Sequence, residues 1–253
     1  MRRVVIAIAL LLLFGAARLP LEIHLAKLQQ QAGFHTAKLD LPLRQQLGQS
    51  SFVAALSGFR SLVAVILWIQ ANDSWQKVEW GRMAGQLQNV TTLQPKSTLY
   101  WDMSAWHMAW NAAIAAMEDK SQPSEALRRL KQRQYFDIGK KFYEDGLLNN
   151  PDSAYLWERY GDLLSQKYED HAAAFKAYKT AASKPGARPQ MKREAAYELA
   201  KIPGRERDAY NEMKAIYDLG DKERLPSVIA SLKRLEEKLG IPADQRIKES
   251  NAH

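Results

Sequence analysis

Catalytic chemistry needs particular side chains at particular spacings, and this sequence offers few such sets. One Ser-x-x-Lys stands at Ser74 and Lys77. A lysine one helical turn from a serine can take its proton, but the Ser-Asp-Asn and Lys-Thr-Gly companions that complete such a nucleophile are missing. There is no glycine-rich phosphate loop, no Gly-x-Ser-x-Gly and no His-Glu-x-x-His. The histidines are His24, His35, His107, His171 and His253, and none has a partner at metal-ligand spacing. His107 lies one turn from Met103 and Asn111 and close to Asp102, and is expected to be a core histidine satisfied by its neighbours. Glu169, Asp170 and His171 fall in a turn between two helices, where charged groups need no further reason. Cysteine is absent, which excludes disulfides, thiol nucleophiles, Cys-ligated zinc, iron–sulfur clusters and a lipid-carrying Cys. The expectation is a protein without catalysis, metal or cofactor.

Binding chemistry is better represented. Six of the seven Trp lie between Trp68 and Trp110, and such rings can wall a groove for a peptide or glycan. Their helical spacings, Trp68 to Trp75 and Trp106 to Trp110, make core packing the default. Positive charge is also uneven. Between Lys176 and Arg207 nine basic residues face three acidic ones, a local +6, whereas the whole chain carries +8. A solvated helix face is the plain reading of such a run. The sharper one is a recognition face for an acidic partner, made by Lys176, Lys179, Arg188, Arg193, Arg205 and Arg207. No nucleic acid is expected.

The elements that would position these residues are helical. With 46% hydrophobic and 25% charged residues over 253 positions, the chain has a globular composition. Met1, Arg2 and Arg3 precede an apolar run from Val4 to Ala17, the layout of an export signal. As a helix the run is about 21 Å long, short of the roughly 30 Å hydrocarbon core. Leu19, Leu21, Ile23 and Leu25 prolong it, so an uncleaved signal-anchor is preferred, with cleavage near Ala17 or a cytosolic buried helix as alternatives. Arg2 and Arg3 hold the N-terminus inside and send the body outward, into the periplasm. A second apolar stretch, Phe52 to Ile69, is interrupted by Arg60 and is read as a buried helix of the body.

Beyond residue 52 the hydrophobic period is that of helices and not of strands. Met103, Trp106 and Trp110 share one face, as do Val228, Leu232, Leu235 and Leu239, the latter bracketed by Pro226, Gly240 and Pro242. Pro95, Pro123, Pro151, Pro185, Gly186, Pro203 and Gly204 mark short linkers. Setting Pro95 on Pro151 exposes a repeat, LQPKSTLYWDMSA against NNPDSAYLWERYG, with Ser97 on Ser153, Trp101 on Trp157 and Ala105 on Gly161. The physical content is a helical hairpin in which Trp fills the groove and a small residue admits the partner backbone.

On these residues PDSAYLWERYGDLLSQKYEDHAAAFKAYKTAASKPG resembles a tetratricopeptide repeat. Trp157, Gly161, Ala173, Ala177 and Pro185 stand at or next to the motif's places, while Tyr160 and Leu164 depart from it and the offset of 56 residues exceeds the usual 34. The strings GFRSLVAVILWIQAND, LQP, AWHMAWN, NNP, KPGARP and PGRERDAY are further similar to a family of N-terminally anchored, repeat-like bacterial proteins, over roughly residues 52–218. That resemblance implies fold and membrane attachment and brings no catalytic residues. The expected architecture is all-α, a right-handed stack of helical hairpins, a TPR-like α-solenoid, behind an N-terminal apolar helix. Its expected parts are the signal-anchor (1–18), a linker with short amphipathic helices (19–51), the helical domain (52–218) and a C-terminal helix with a polar tail (219–253). The expected function is that of a membrane-tethered interaction or scaffold protein of the bacterial envelope, whose partner is an envelope protein or another acidic molecule. The alternatives are an enzyme acting on envelope polymer without a recognisable motif, and a basic module binding anionic lipid or acidic polymer.

Overall fold

The computed structural model describes residues 58–247 together with Pro20 and His24. The apolar run Val4–Ala17, the linker 19–51 apart from those two residues, residues 52–57 and residues 248–253 lie outside the described residues. Among the described residues there are helices and no strands, an all-α fold. The chain divides into two compact units, Met1–Pro151 and Asp152–His253.

From residue 58 the described part of the N-terminal unit has α1 (Arg60–Gln76) paired with α2 (Trp80–Leu93). Val63, Ala64, Leu67 and Ala71 form the buried face of α1. The expected buried helix is buried on that face alone: on the opposite face Leu62, Val65, Ile66 and Ile69 are exposed. No described helix is long and apolar enough to cross a membrane.

Next comes a helix that changes its winding midway: α3 (Thr98–Trp106), a π-helical segment (His107–Ala112) and α4 (Ala113–Glu118). All three pack on the long α5 (Glu125–Asn149). The π segment has a reason in the sequence. Trp101, Ala105, Ala109 and Ala113 are fully buried at intervals of four, and four residues overshoot an α-helical turn by about 40°. A wider turn with i→i+5 bonds takes up that excess and keeps the series facing α5. The approach is close because of glycine: a Cβ on Gly139 would stand 2.6 Å from the Ala109 Cβ and 2.8 Å from the Ala105 carbonyl oxygen, and one on Gly146 would stand 2.8 Å from the Trp101 ring. The expected core face of Met103, Trp106 and Trp110 is therefore corrected. Those side chains are half-buried, because the small residues on the neighbouring face let α5 in and theirs do not.

The C-terminal unit runs α6 (Ala154–Lys167), α7 (His171–Ser183), α8 (Gln190–Ala200), α9 (Glu206–Tyr217) and α10 (Pro226–Lys238), each packed on the next. Gly161 lies under Tyr178, whose hydroxyl donates to Asp162 at 2.7 Å. Ala196, Met213, Ile216, Val228 and Leu232 form one core, so the C-terminal helix shares its packing with α8 and α9. The apolar face expected after Pro226 is present, with Val228, Leu232 and Leu235 buried, Pro226 in the first turn and Gly240 past the end at φ 63°.

The repeat positions fall at equivalent places in the two units. Ser97 and Ser153 both cap a helix, accepting hydrogen bonds from Tyr100 N and Leu156 N. Trp101 is fully buried and donates to the Pro95 carbonyl at 2.9 Å, whereas Trp157 is partly buried. Ala105 and Gly161 are both buried. One more column joins them: Asp102 and Glu158 are both 5% exposed. Asp102 accepts from the Tyr143 hydroxyl at 2.7 Å, and Glu158 pairs with Arg188. Ala173 is partly buried against the α6–α7 core, and Pro185 stands exposed in the turn with Gly186.

Candidate functional site

The clearest concave surface of the C-terminal unit lies along α7, α8 and α9. A hollow of about 410 Å³ shares Ala182, Lys192, Ile216 and Leu219 with one of about 260 Å³ on one side, and Phe175, Lys179, Glu212 and Ala215 with one of about 450 Å³ on the other. Short side chains on α7 and α8 (Ala182, Ala195) leave room above the core, and Phe175, Ile216 and Leu219 supply an apolar floor. Leu219 is 67% exposed, far more than a core residue would be. Lys179, Lys192, Arg188 and Arg205 stand round the edge with Glu212, Asp208 and Glu223.

The basic residues singled out in the sequence are only partly brought together here. Lys179, Arg188 and Arg205 line the groove, and each is held by a carboxylate: Lys179 by Glu212 at 2.9 Å, Arg188 by Glu158 and Arg205 by Asp208. Arg193 pairs with Glu223 in a contact where the side chains are only 17% and 21% exposed. Lys184 pairs with Asp152, and Lys201 with Glu198. Five of these acids, Asp152, Glu158, Asp208, Glu212 and Glu223, lie outside the 176–207 segment, while Glu206 within it is taken by Lys238, so its +6 in sequence falls to about +2 in space by this pairing. Lys176, Lys192 and Arg207 are exposed, and no pairing of their side chains is seen among the described residues. Lys192 is the residue that sequence reasoning passed over: it sits in the groove, and only its place one turn from Pro189 at the start of α8 hinted at exposure.

A buried polar centre underlies this unit. Glu198, 3% exposed, accepts from Ser165, His171 and Lys201 at 2.9, 2.7 and 2.6 Å. Burial pushes its carboxyl up, and the three bonds outweigh burial and hold it below the usual range. Glu194 has no such set; burial and the carboxylates of Asp162 and Glu198 push it up. The expected turn cluster thus divides, with His171 joined to the core and Asp170 capping α7 through Ala173 N.

In the N-terminal unit the Ser74 hydroxyl is buried and donates to Gln86 at 2.8 Å, while Lys77 pairs with Asp73. The serine and lysine therefore serve separate contacts. His107 is 8% exposed, flanked edge-on by Trp75 and Trp106 and bonded through Nδ1 to Asn111 at 3.1 Å. Burial lowers its pKa, so the ring is neutral near pH 7, and with the amide donating the proton sits on Nε2. No group of three or more His, Asp or Glu placed to hold a metal ion occurs among the described residues. Compared with models of known protein families, with curated proteins and with solved structures, the chain matches none.

Proposed function

We propose that this protein is a membrane-tethered, repeat-like interaction protein of the bacterial envelope, acting without catalysis. Val4–Ala17 holds it to the cytoplasmic membrane with the body outside, and its hairpins belong to a TPR-like, right-handed α-solenoid. The C-terminal unit receives a short partner segment with an apolar anchor and acidic flank. The single observation that carries this is the groove, in which an apolar floor ending in exposed Leu219 is bordered by Lys192. An apolar side chain seated on such a floor supplies affinity, and rim charge supplies encounter rate and register. The repeated Ser cap, Trp and small residue support the hairpin family.

The test is a photo-reactive residue placed at position 219 in intact cells, followed by recovery of cross-linked material. A discrete partner that is lost with Lys192→Glu supports the reading. Equal recovery with that variant across a salt series, or no discrete partner at all, overturns the groove. Protease treatment of cells with a permeabilised outer layer tests topology separately: the body should be digested, and complete protection would sink the outward orientation.

A further inference from the structure

A second site lies in the N-terminal unit, away from the basic segment. The turn from α1 to α2 and the α4–α5 hairpin enclose a cleft of about 370 Å³, within the size range of small-ligand pockets. Its walls include Val78, Trp80, Glu118, Asp119, Lys131 and Tyr135.

Two features mark this cleft: a β-branched residue at a left-handed helix ending that glycine would hold without strain, and an indole N–H without an acceptor. Val78 sits at φ 60°, a conformation that a β-branched residue rarely takes, and its side chain is 61% exposed at the edge of the cleft. Such strain gathers at functional sites. The Trp80 indole N–H, at the same turn, is buried and finds no acceptor among the described residues. Opposite, burial alone pushes the Tyr135 hydroxyl above its ordinary range, with no hydrogen bond or charge contributing. Lys131 pairs with Asp119 at 3.5 Å, and Asp119 also accepts from Ser121, which leaves Glu118 as the exposed carboxylate.

We infer that this cleft binds a neutral hydroxylated ring, a saccharide unit. The argument is one of matching groups. Two aromatic side chains among the walls, Trp80 and Tyr135, offer surface for the C–H side of a sugar. An indole N–H and a phenol want acceptors, the carboxylates want donors, and sugar hydroxyls are both. Two carboxylates against one ammonium disfavour an anionic ligand. The volume takes one or two rings and not a folded segment of a partner chain. Because the Trp80 N–H is buried, seating the ring requires that side chain to turn toward the cleft.

The test uses the full chain in lipid nanodiscs, labelled with 5-fluorotryptophan, with the Trp80 resonance assigned by Trp80→Phe. The probes are neutral trisaccharides of glucose, mannose, galactose and N-acetylglucosamine. At least one should move the Trp80 resonance saturably at millimolar concentration and leave that of Trp157 in place. Tyr135→Phe and Glu118→Gln, whose folding is checked by thermal unfolding, should each raise its Kd about tenfold. The inference is overturned if no probe moves Trp80, if both variants bind as the wild type does, or if an acidic trisaccharide binds as tightly as its neutral counterpart. It is equally overturned if tetramethylammonium or an acetylated peptide, and no saccharide, moves that resonance.

Discussion

Val78 and Gly240 hold the same left-handed conformation, φ 60° and 63°, at the same place, two residues past the last residue of a helix. After α1, Val78 N bonds the Trp75 carbonyl and Glu79 N that of Ser74; after α10, Gly240 N bonds Glu237 and Ile241 N bonds Glu236. The two endings are one motif, for which glycine is the unstrained residue. A Cβ in this region costs about 1–2 kcal/mol, less what glycine loses in the unfolded chain. Val78→Gly should therefore stabilise the protein by about 1 kcal/mol, and Gly240→Val should destabilise it by at least as much. Urea midpoints at unchanged slope measure both, and a loss of stability in Val78→Gly would show that the valine side chain is packed.

The paired tryptophans separate in the same way. Trp101 is fully buried against Gly146 and bonded to the Pro95 carbonyl, so Trp101→Ala should cost about 3–5 kcal/mol. Trp157 is partly exposed and should cost clearly less. Thermal unfolding of the two variants side by side decides it, and equal losses would contradict the difference in burial.

The reason one could not be read from the other lies in what faces each ring. Pro, Ser and Trp at fixed offsets made the repeat visible, and caps, prolines and hydrophobic period made the all-α class and the helix after Pro226 visible. The buried acid column, Asp102 and Glu158, was hidden because the two residues differ and their partners, Tyr143 and Arg188, lie 41 and 30 positions on. The basic run was legible as charge but not as a surface, since the carboxylates that neutralise it come from elsewhere in the unit. The α3–π–α4 core face was misjudged because Ala and Gly carry little hydrophobic signal while setting how near α5 can come.

That closeness is testable at glycine. Gly139→Ala would press a methyl against the Ala109 Cβ and the Ala105 backbone oxygen, neither of which can swing aside. Over-packing of this kind should cost about 1–3 kcal/mol. Gly81 in α2 has nothing within 4 Å of its added Cβ, so Gly81→Ala should be neutral or gain up to about 1 kcal/mol from helix propensity. Denaturant unfolding distinguishes packing from propensity, because propensity alone predicts a gain at both sites.

A half-buried and a buried glutamate one turn apart, Glu194 and Glu198, should give opposite responses to pH. Glu198 is held below its ordinary range, so its contribution is fully present above the unfolded carboxyl value, about 4.5, and is lost as pH falls through the lower folded value. Glu194 is raised, so the native state keeps a proton that the unfolded chain releases, and stability falls as pH rises between the unfolded and folded values. Glu198→Gln should thus weaken the fold at pH 7, with the deficit closing in acid. Glu194→Gln should strengthen it at pH 7, with the gain shrinking toward pH 4.5. Thermal midpoints from pH 4 to 8 give both slopes, and parallel curves for the two variants would refute the assignment.

The basic segment should divide into structural and free charges. Arg193 and Glu223 are largely screened from water, and Arg193→Glu would set two carboxylates together. Truncating one member of a buried pair costs about 3–5 kcal/mol, and this half-screened pair should show a fraction of that, about 1–3 kcal/mol, before any effect on binding. Lys176, Lys192 and Arg207 are exposed, and reversal of each should change stability by less than about 0.5 kcal/mol. Of the three only Lys192 lines the groove. If the groove takes an acidic flank, Lys192→Glu should slow association most at low salt, while Lys176→Glu and Arg207→Glu act weakly through the general field. Association rates of the cross-linked partner, measured with each reversal over a salt series, separate these outcomes. Equal slowing by all three would mean that the face acts as diffuse charge, and the defined seat at Lys192 would be wrong.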